Sequence, residues 1–225
     1  MKALKFMKVP FVFGLFLILV SFTQAQKEHE RIDNSIRVLR SFADMKESIP
    51  HELLAHYNGI VIIPHMLNAG LAIGAKHGRG IALVKLPNGD WSDPVFVELI
   101  GGSFGFQIGV QSVDLVLVFR HKGALDRVKN GDFTIGGDVS VAAGPVGRNS
   151  TAGTDYKADA EIYSYSRSRG LFAGISINGS NLGIDKEADA NYYGPNVAAR
   201  DIFDIPHSPT MAVLNLKKTL KYMSE

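Results

Sequence analysis

Between Ile60 and Phe119 the chain is divided into short apolar runs separated by glycine, and this stretch constrains the fold more than any other. The runs are Ile60–Ile63, Leu71–Ala75, Ile81–Leu86, Val95–Ile100, Phe104–Val110 and Leu115–Phe119. Apolar runs of that length, punctuated by turn residues, predict strands. Asn88–Gly89 lies between two of them and predicts a type I′ hairpin, in which both central residues take positive φ. Strands that follow one another through tight turns form an antiparallel sheet.

Helical periodicity frames this region. Ile32, Ile36, Leu39, Phe42 and Ala43 recur three and four apart, widened by Val38, Met45 and Ile49, and so predict an amphipathic helix over 27–49. Pro50 suits the first turn of a second helix running through Tyr57, with Gly59 ending it. A short helix is expected over 124–129, and a strand pair around Gly179 from Ile175–Ile177 and Asn181–Ile184. At the far end Ser208 is a candidate N-cap, Pro209 the first helical residue, and Val213, Leu216, Leu220 and Met223 the buried stripe. The expected class is α+β: a twisted antiparallel sheet, open to barrel-like closure, with N-terminal and C-terminal helices packed on it.

Lys2, Lys5 and Lys8 precede an apolar run from Val9 to Phe22 and a polar stretch ending in Ala25, the pattern of a secretory signal peptide. Its uninterrupted core, Phe11–Val20, is shorter than the about 18 residues a spanning helix needs. The expected organisation is a signal peptide over 1–25 and one domain over 26–225, exported to the periplasm, the envelope or the medium. Without the leader, 21 basic residues face 22 acidic ones, a net charge of −1. A neutral protein has no broad field to draw in nucleic acid, so no nucleic-acid partner is expected. The absence of cysteine excludes disulfides, thiolate metal sites and a cysteine nucleophile.

The block from Gly136 to Gly174 alternates as strand at Asp138–Val141, turns at Gly144–Pro145–Val146–Gly147–Arg148, and resumes at Ile162–Arg167. Its words GPVGR and IYSYSRSRGLFAG resemble the signature of the SYLF domain family. So do Asn58–Pro64, Ala69–Gly70, a Gly78–Arg79–Gly80 turn, Gly89–Pro94, Gly105–Gly109 and Asn191–Gly194, giving coverage of roughly 49–194. Ala75–Lys76–His77 departs from the family pattern. The resemblance implies a module that binds membrane lipid, phosphoinositides in eukaryotic members and actin in fungal ones, with no catalysis and no cofactor. A headgroup would need basic side chains beside an apolar surface. Arg148, Arg167 and Arg169 are the basic groups inside the family words. Lys122 belongs to a cationic run with Arg120, Arg127 and Lys129 that a solvated helix face explains equally well. Relatives are thought to engage membranes through a segment ahead of the domain, but the mixed charges of 27–49 favour a helix packed on the sheet. Tyr163 and Tyr165 share one strand face, which predicts core packing. The alternative to lipid is a protein partner, a filament or an envelope component.

Two chemical readings compete. Gly101–Gly105 spells a nucleophile elbow around Ser103, with Asp138 or Asp185 and His207 in triad order, but strand-like residues follow where a helix is required. Asp185, Glu187, Asp189 and Asn191 alternate as calcium ligands might, yet Ala190 and Asn196 occupy positions that need Gly and Glu, so a solvated acidic turn is expected. The seven histidines include no helical i, i+4 pair, so no metal is expected.

Overall fold

The structure is a computed structural model of the 225-residue chain; it describes residues 9–45, 48–129, 133–144, 160–169, 171–172, 175–205, 207 and 209–225. Side chains are described from Gln26 onward, apart from 71–73, 103–108, 122, 126, 129 and 172. Helix α1 spans Val9–Ala43 and α2 His51–His56; β1 spans Gly59–Val84, β2 Val95–Phe119 and α3 Lys122–Lys129. Four short strands follow: β3 Thr134–Ile135, β4 Val141–Ala143, β5 Ile162–Ser168 and β6 Leu171–Phe172. The chain ends with β7 Ser180–Ile184, α4 Lys186–Tyr193, α5 Ala199–Asp204 and α6 Met211–Ser224. The class is α+β, as expected.

The six expected strands fuse into two. β1 and β2 pair antiparallel along their whole length, from Gly59↔Phe119 to Ala82↔Val95, with register shifts at Ile63/Met66 and Gly70/Ala72. Glycine marks bends inside one ribbon here rather than the ends of separate strands. The ribbon folds back on itself: Lys85 N–H donates to Asn58 O at 2.8 Å, and a Cβ on Gly80 would lie 2.0 Å from Ile62 O. Gly78–Arg79–Gly80 is therefore not a turn but mid-strand, where the second half of β1 presses against the first. The hairpin also differs from expectation. Leu86 and Asp90 bracket the loop, with Leu86 N–H donating to Asp90 O, and only Gly89 has positive φ (86°). That is a three-residue loop, favoured by Pro87 at its first position.

The other edge of β2 takes the remaining strands. β7 pairs antiparallel with Val97–Gly101 and carries β3; β5 pairs with Asp114–Phe119 and carries β4 and β6. β4 runs parallel to β5, so the sheet is mixed rather than purely antiparallel: a long segment, 144–161, separates the two strands where a hairpin would have been tight. A bridge between Ile135 and Val139 brings β3 to the start of β4 and nearly closes the ring into a barrel. Around Gly179 only Ser180–Ile184 is strand; 175–177 is not.

Alternation along the strands then fills two cores. Ile60, Ile62, Ile81, Leu83, Val116, Val118, Tyr163 and Tyr165 face outward, under α1 (Ile32, Leu39, Phe42) and α6 (Val213, Leu216, Leu220). Val61, Ile63, Ala82, Leu99, Leu115 and Leu117 face inward with Phe133, Leu182 and Leu125 of α3. Both tyrosines are core residues, as their shared face predicts. Tyr165 is packed so closely that a Cβ on Gly144 would lie 2.1 Å from its ring. Thr210, not Ser208, caps α6, its hydroxyl accepting from Val213 N–H, and the helix begins two residues later than the sequence suggests.

Candidate functional site

Asp114 on β2 organises the residues of the SYSRSRG word. It is 8% exposed and accepts from Arg167 Nη2 at 2.6 Å and from His65 N–H at 3.0 Å, with His65 Nδ1 3.5 Å away. His65 follows Pro64 at the β1 bulge and holds φ of 51°, a left-handed conformation that is costly for a non-glycine residue. The Arg167 guanidinium lies 5.9 Å from the Phe42 ring centroid, beneath α1. Arg167 thus joins β5, β2, the bulge of β1 and α1, and its charge is already matched.

The other sequence candidates do not converge on it. Arg169 occupies the turn between β5 and β6, exposed, with φ of 50°. Lys122 opens α3 but its side chain is outside the described set, and Arg148 lies wholly outside the described residues. In the cationic run, Arg127 donates to Asp138 O at 3.0 Å. Ser103 sits within β2, Cα-paired with Gly74, so strand continues on both sides of it and the strand–turn–helix context of a nucleophile elbow does not form.

The acidic segment 185–191 is helix, not a solvated turn. Asp185 caps α4, accepting from Ala188 N–H at 3.1 Å, and its other oxygen takes Arg31 Nη1 at 3.0 Å. Arg79 donates to Glu98, to which His77 also hydrogen-bonds at 2.8 Å; these bonds hold the Glu98 carboxyl below its usual range. Asp189 points inward, 2% exposed, accepting from Phe96 N–H at 2.9 Å while its second oxygen has no partner. Burial pushes its pKa up to about 7, with Asp185 adding to the rise and Arg31 opposing it. The folded state therefore binds a proton more tightly than the unfolded chain, and stability falls as pH rises from about 4 through 7. Asp189→Asn is expected to flatten this slope and to raise stability at pH 8 by about 2–4 kcal/mol, read from urea unfolding at pH 5 and pH 8. An unchanged slope would show that the carboxyl ionises in the folded protein without cost.

A third cluster ties the C-terminal segment to the sheet. Asp93, 3% exposed in the loop between β1 and β2, accepts from His207 N–H at 2.7 Å and lies 2.6 Å from Lys217 Nζ. The ammonium approaches Oδ1 off the hydrogen-bond direction, so the contact is an ion pair. Tyr193 donates to Pro94 O at 2.7 Å and packs on the His207 ring. Where the chain departs from the family words, Lys76 is buried with its Nζ donating to Ser176 O, and desolvation lowers its pKa.

Large apolar side chains remain on the surface. Leu67 and Val110 lie on the β1–β2 ribbon, and Leu171 is beside it, since Ser168 Oγ donates to Ser112 O and pairs across the turn with Leu171. Met211, Leu214 and Tyr222 lie on α6. The helical spacing of Val213, Leu216, Leu220 and Met223 marks only the buried stripe of α6; the signal for the exposed one is the three- and eight-residue spacing of Met211, Leu214 and Tyr222.

Residues 100–223 match the family described as Ysc84, Las17-binding protein actin regulator. The chain is 35% identical over 179 residues to the rat SH3 domain-containing YSC84-like protein 1, covering 76% of this chain and 52% of that protein. The human protein of the same name is 35% identical over 173 residues, with 74% and 50% covered. Yeast LAS seventeen-binding protein 3 is 34% identical over 176 residues, with 77% and 38% covered. The chain spans about half the length of the curated animal relatives it matches and less of the yeast one. The family description and the yeast relative's name speak of binding and regulation, not catalysis. With more than half of its residues inside the matched region, the chain belongs to the Ysc84 family, the SYLF domain family its strand–turn–strand words resemble.

Proposed function

We propose that this protein is a non-catalytic, exported module of the bacterial cell envelope that binds phospholipid or another phosphate-bearing amphiphile on its outer surface. The observation that carries the reading is the contrast between a filled interior and an apolar exterior. Val61, Leu99, Leu117, Phe133 and Leu182 are fully buried inside the ring, which directs a ligand to the outside. Outside, Leu67 is 50%, Leu171 74% and Val110 76% exposed on neighbouring strands, with Arg169 at the adjoining turn. Exposed apolar groups gathered beside a cation suit an interface with lipid.

A second reading, a module for a filament or envelope protein, is favoured by the Las17-binding description of the family and by the name of the yeast relative. Flotation separates the two. Protein purified from an exporting host, its amino terminus determined by mass spectrometry, is expected to rise with vesicles containing phosphatidylglycerol at low salt and to be released at high salt. Failure to rise with any phospholipid at low salt would remove the lipid reading and leave the protein-binding one.

A further inference from the structure

Helix α6 has two dissimilar faces. Val213, Leu216, Thr219, Leu220 and Met223 are buried against the sheet and α1. At 100° per residue, Met211, Leu214, Lys218 and Tyr222 fall within a narrow outward stripe. Met211 is 71% and Tyr222 76% exposed on this side. Between α6 and the end of α1 lies an open groove of about 410 Å³, lined by Ala43, Tyr222 and Met223 on its apolar side and by Arg40, Lys218 and Asp44 among its polar groups.

The charge around the groove runs against that of the whole molecule. Arg40 and Lys218 line it against Asp44, and Arg37 and Lys221 lie one turn or less away in sequence, Lys221 within 4.0 Å of Glu225, whereas the chain from Gln26 onward carries a net charge of −1. Lysines beside an exposed tyrosine and methionine are the arrangement of an interfacial helix, whose long basic stems lie along apolar surface while their ammonium groups reach phosphate.

We infer that the groove between α1 and α6 receives an anionic phospholipid at a bilayer surface, its phosphate between Arg40 and Lys218 and its acyl portion along Tyr222 and Met223. The inference rests on the lipid-binding reading above and adds to it a headgroup contact on the helices, separate from the apolar patch of Leu67, Val110 and Leu171. Tyr222 and Lys221 are exposed and Lys218 lies on the same outward stripe, so their replacement leaves the cores intact.

The test uses the exported, processed protein and vesicles of phosphatidylcholine with or without phosphatidylglycerol. Lys218→Glu/Lys221→Glu is expected to weaken binding to the anionic vesicles about 30-fold, roughly fivefold for each basic side chain lost from an anionic surface. Arg200→Glu, exposed on α5 and outside the groove lining, is expected to change binding less than about threefold. Tyr222→Trp is expected to shift its emission to the blue on anionic vesicles and to be quenched by brominated acyl chains, over a constant background from buried Trp91. Wild-type flotation with no loss in the lysine variant and no quenching would overturn the groove and leave the lipid reading standing. Absence of wild-type flotation would overturn both. Burial of the introduced indole by self-association without vesicles would assign this face to a second copy and overturn the proposal.

Discussion

Gly80→Ala is expected to cost about 3–5 kcal/mol of stability, enough to leave a domain of ordinary stability partly unfolded at room temperature. The added Cβ would sit 2.0 Å from Ile62 O and 2.9 Å from both Ile62 C and Ile63 Cα. All three are backbone atoms of the same strand's first half, paired on its far side with β2, so no side chain can swing away to make room. Relief requires the two halves of β1 to part, which would open the ring and expose both faces of Ile62–Ile63 to a mismatch. Gly102→Ala supplies the contrast: nothing lies within 4 Å of its Cβ position and its φ is not positive, so its stability should move by less than about 0.5 kcal/mol. Urea unfolding followed by far-UV circular dichroism reads both. Equal midpoints for the two variants would mean that the folded-back ribbon is not the native arrangement.

Asp93→Ala is expected to cost about 3 kcal/mol and to loosen one segment in particular. The substitution leaves the His207 N–H without its acceptor and Lys217, 26% exposed, without its counter-charge. His207 lies in the segment that leads into α6 and Lys217 in α6 itself, while Asp93 belongs to the loop between β1 and β2. Limited proteolysis should therefore cut the variant after α5 before the sheet is attacked. Asp93→Asn keeps an acceptor for His207 N–H and removes only the charge, so its loss should be about half as large. A variant as stable and as protease-resistant as the wild type would show that α6 is held by its apolar face alone.

The alternation of Ile60–Ile63, Ile81–Val84 and Leu115–Phe119 was legible because strand periodicity is local: each residue's face follows from its neighbours'. The helices were legible for the same reason, and burial of Ile32, Leu39, Phe42, Leu216 and Leu220 follows from their spacing. The fusion of six runs into two strands was not, because glycine reads the same whether it ends a strand or lets a second backbone approach. Gly78–Arg79–Gly80 is such a case: the first half of β1, more than a dozen residues back, decides its meaning. Likewise Asp189 reads locally as one carboxylate in a solvated turn, and only its burial against β2, which outweighs the opposing hydrogen bond from Phe96 N–H, makes it an acid with a pKa of about 7.

The same division holds for the binding residues. Sequence alone established the α+β class, the helical ends and the resemblance that the family match bears out, since those depend on local pattern and on words shared along the chain. It could mark Arg167 as a cation inside a shared word, but a side chain's charge is available to a ligand only if nothing in the fold has claimed it. The tertiary structure places Asp114 2.6 Å from Arg167 and leaves Lys218 and Tyr222 facing outward, because the bulge at His65 turns β1 toward one and α6 spends its apolar stripe on the sheet before the other. Local periodicity determines which residues can be buried together; which charges remain for a partner is set by contacts between segments distant in the chain.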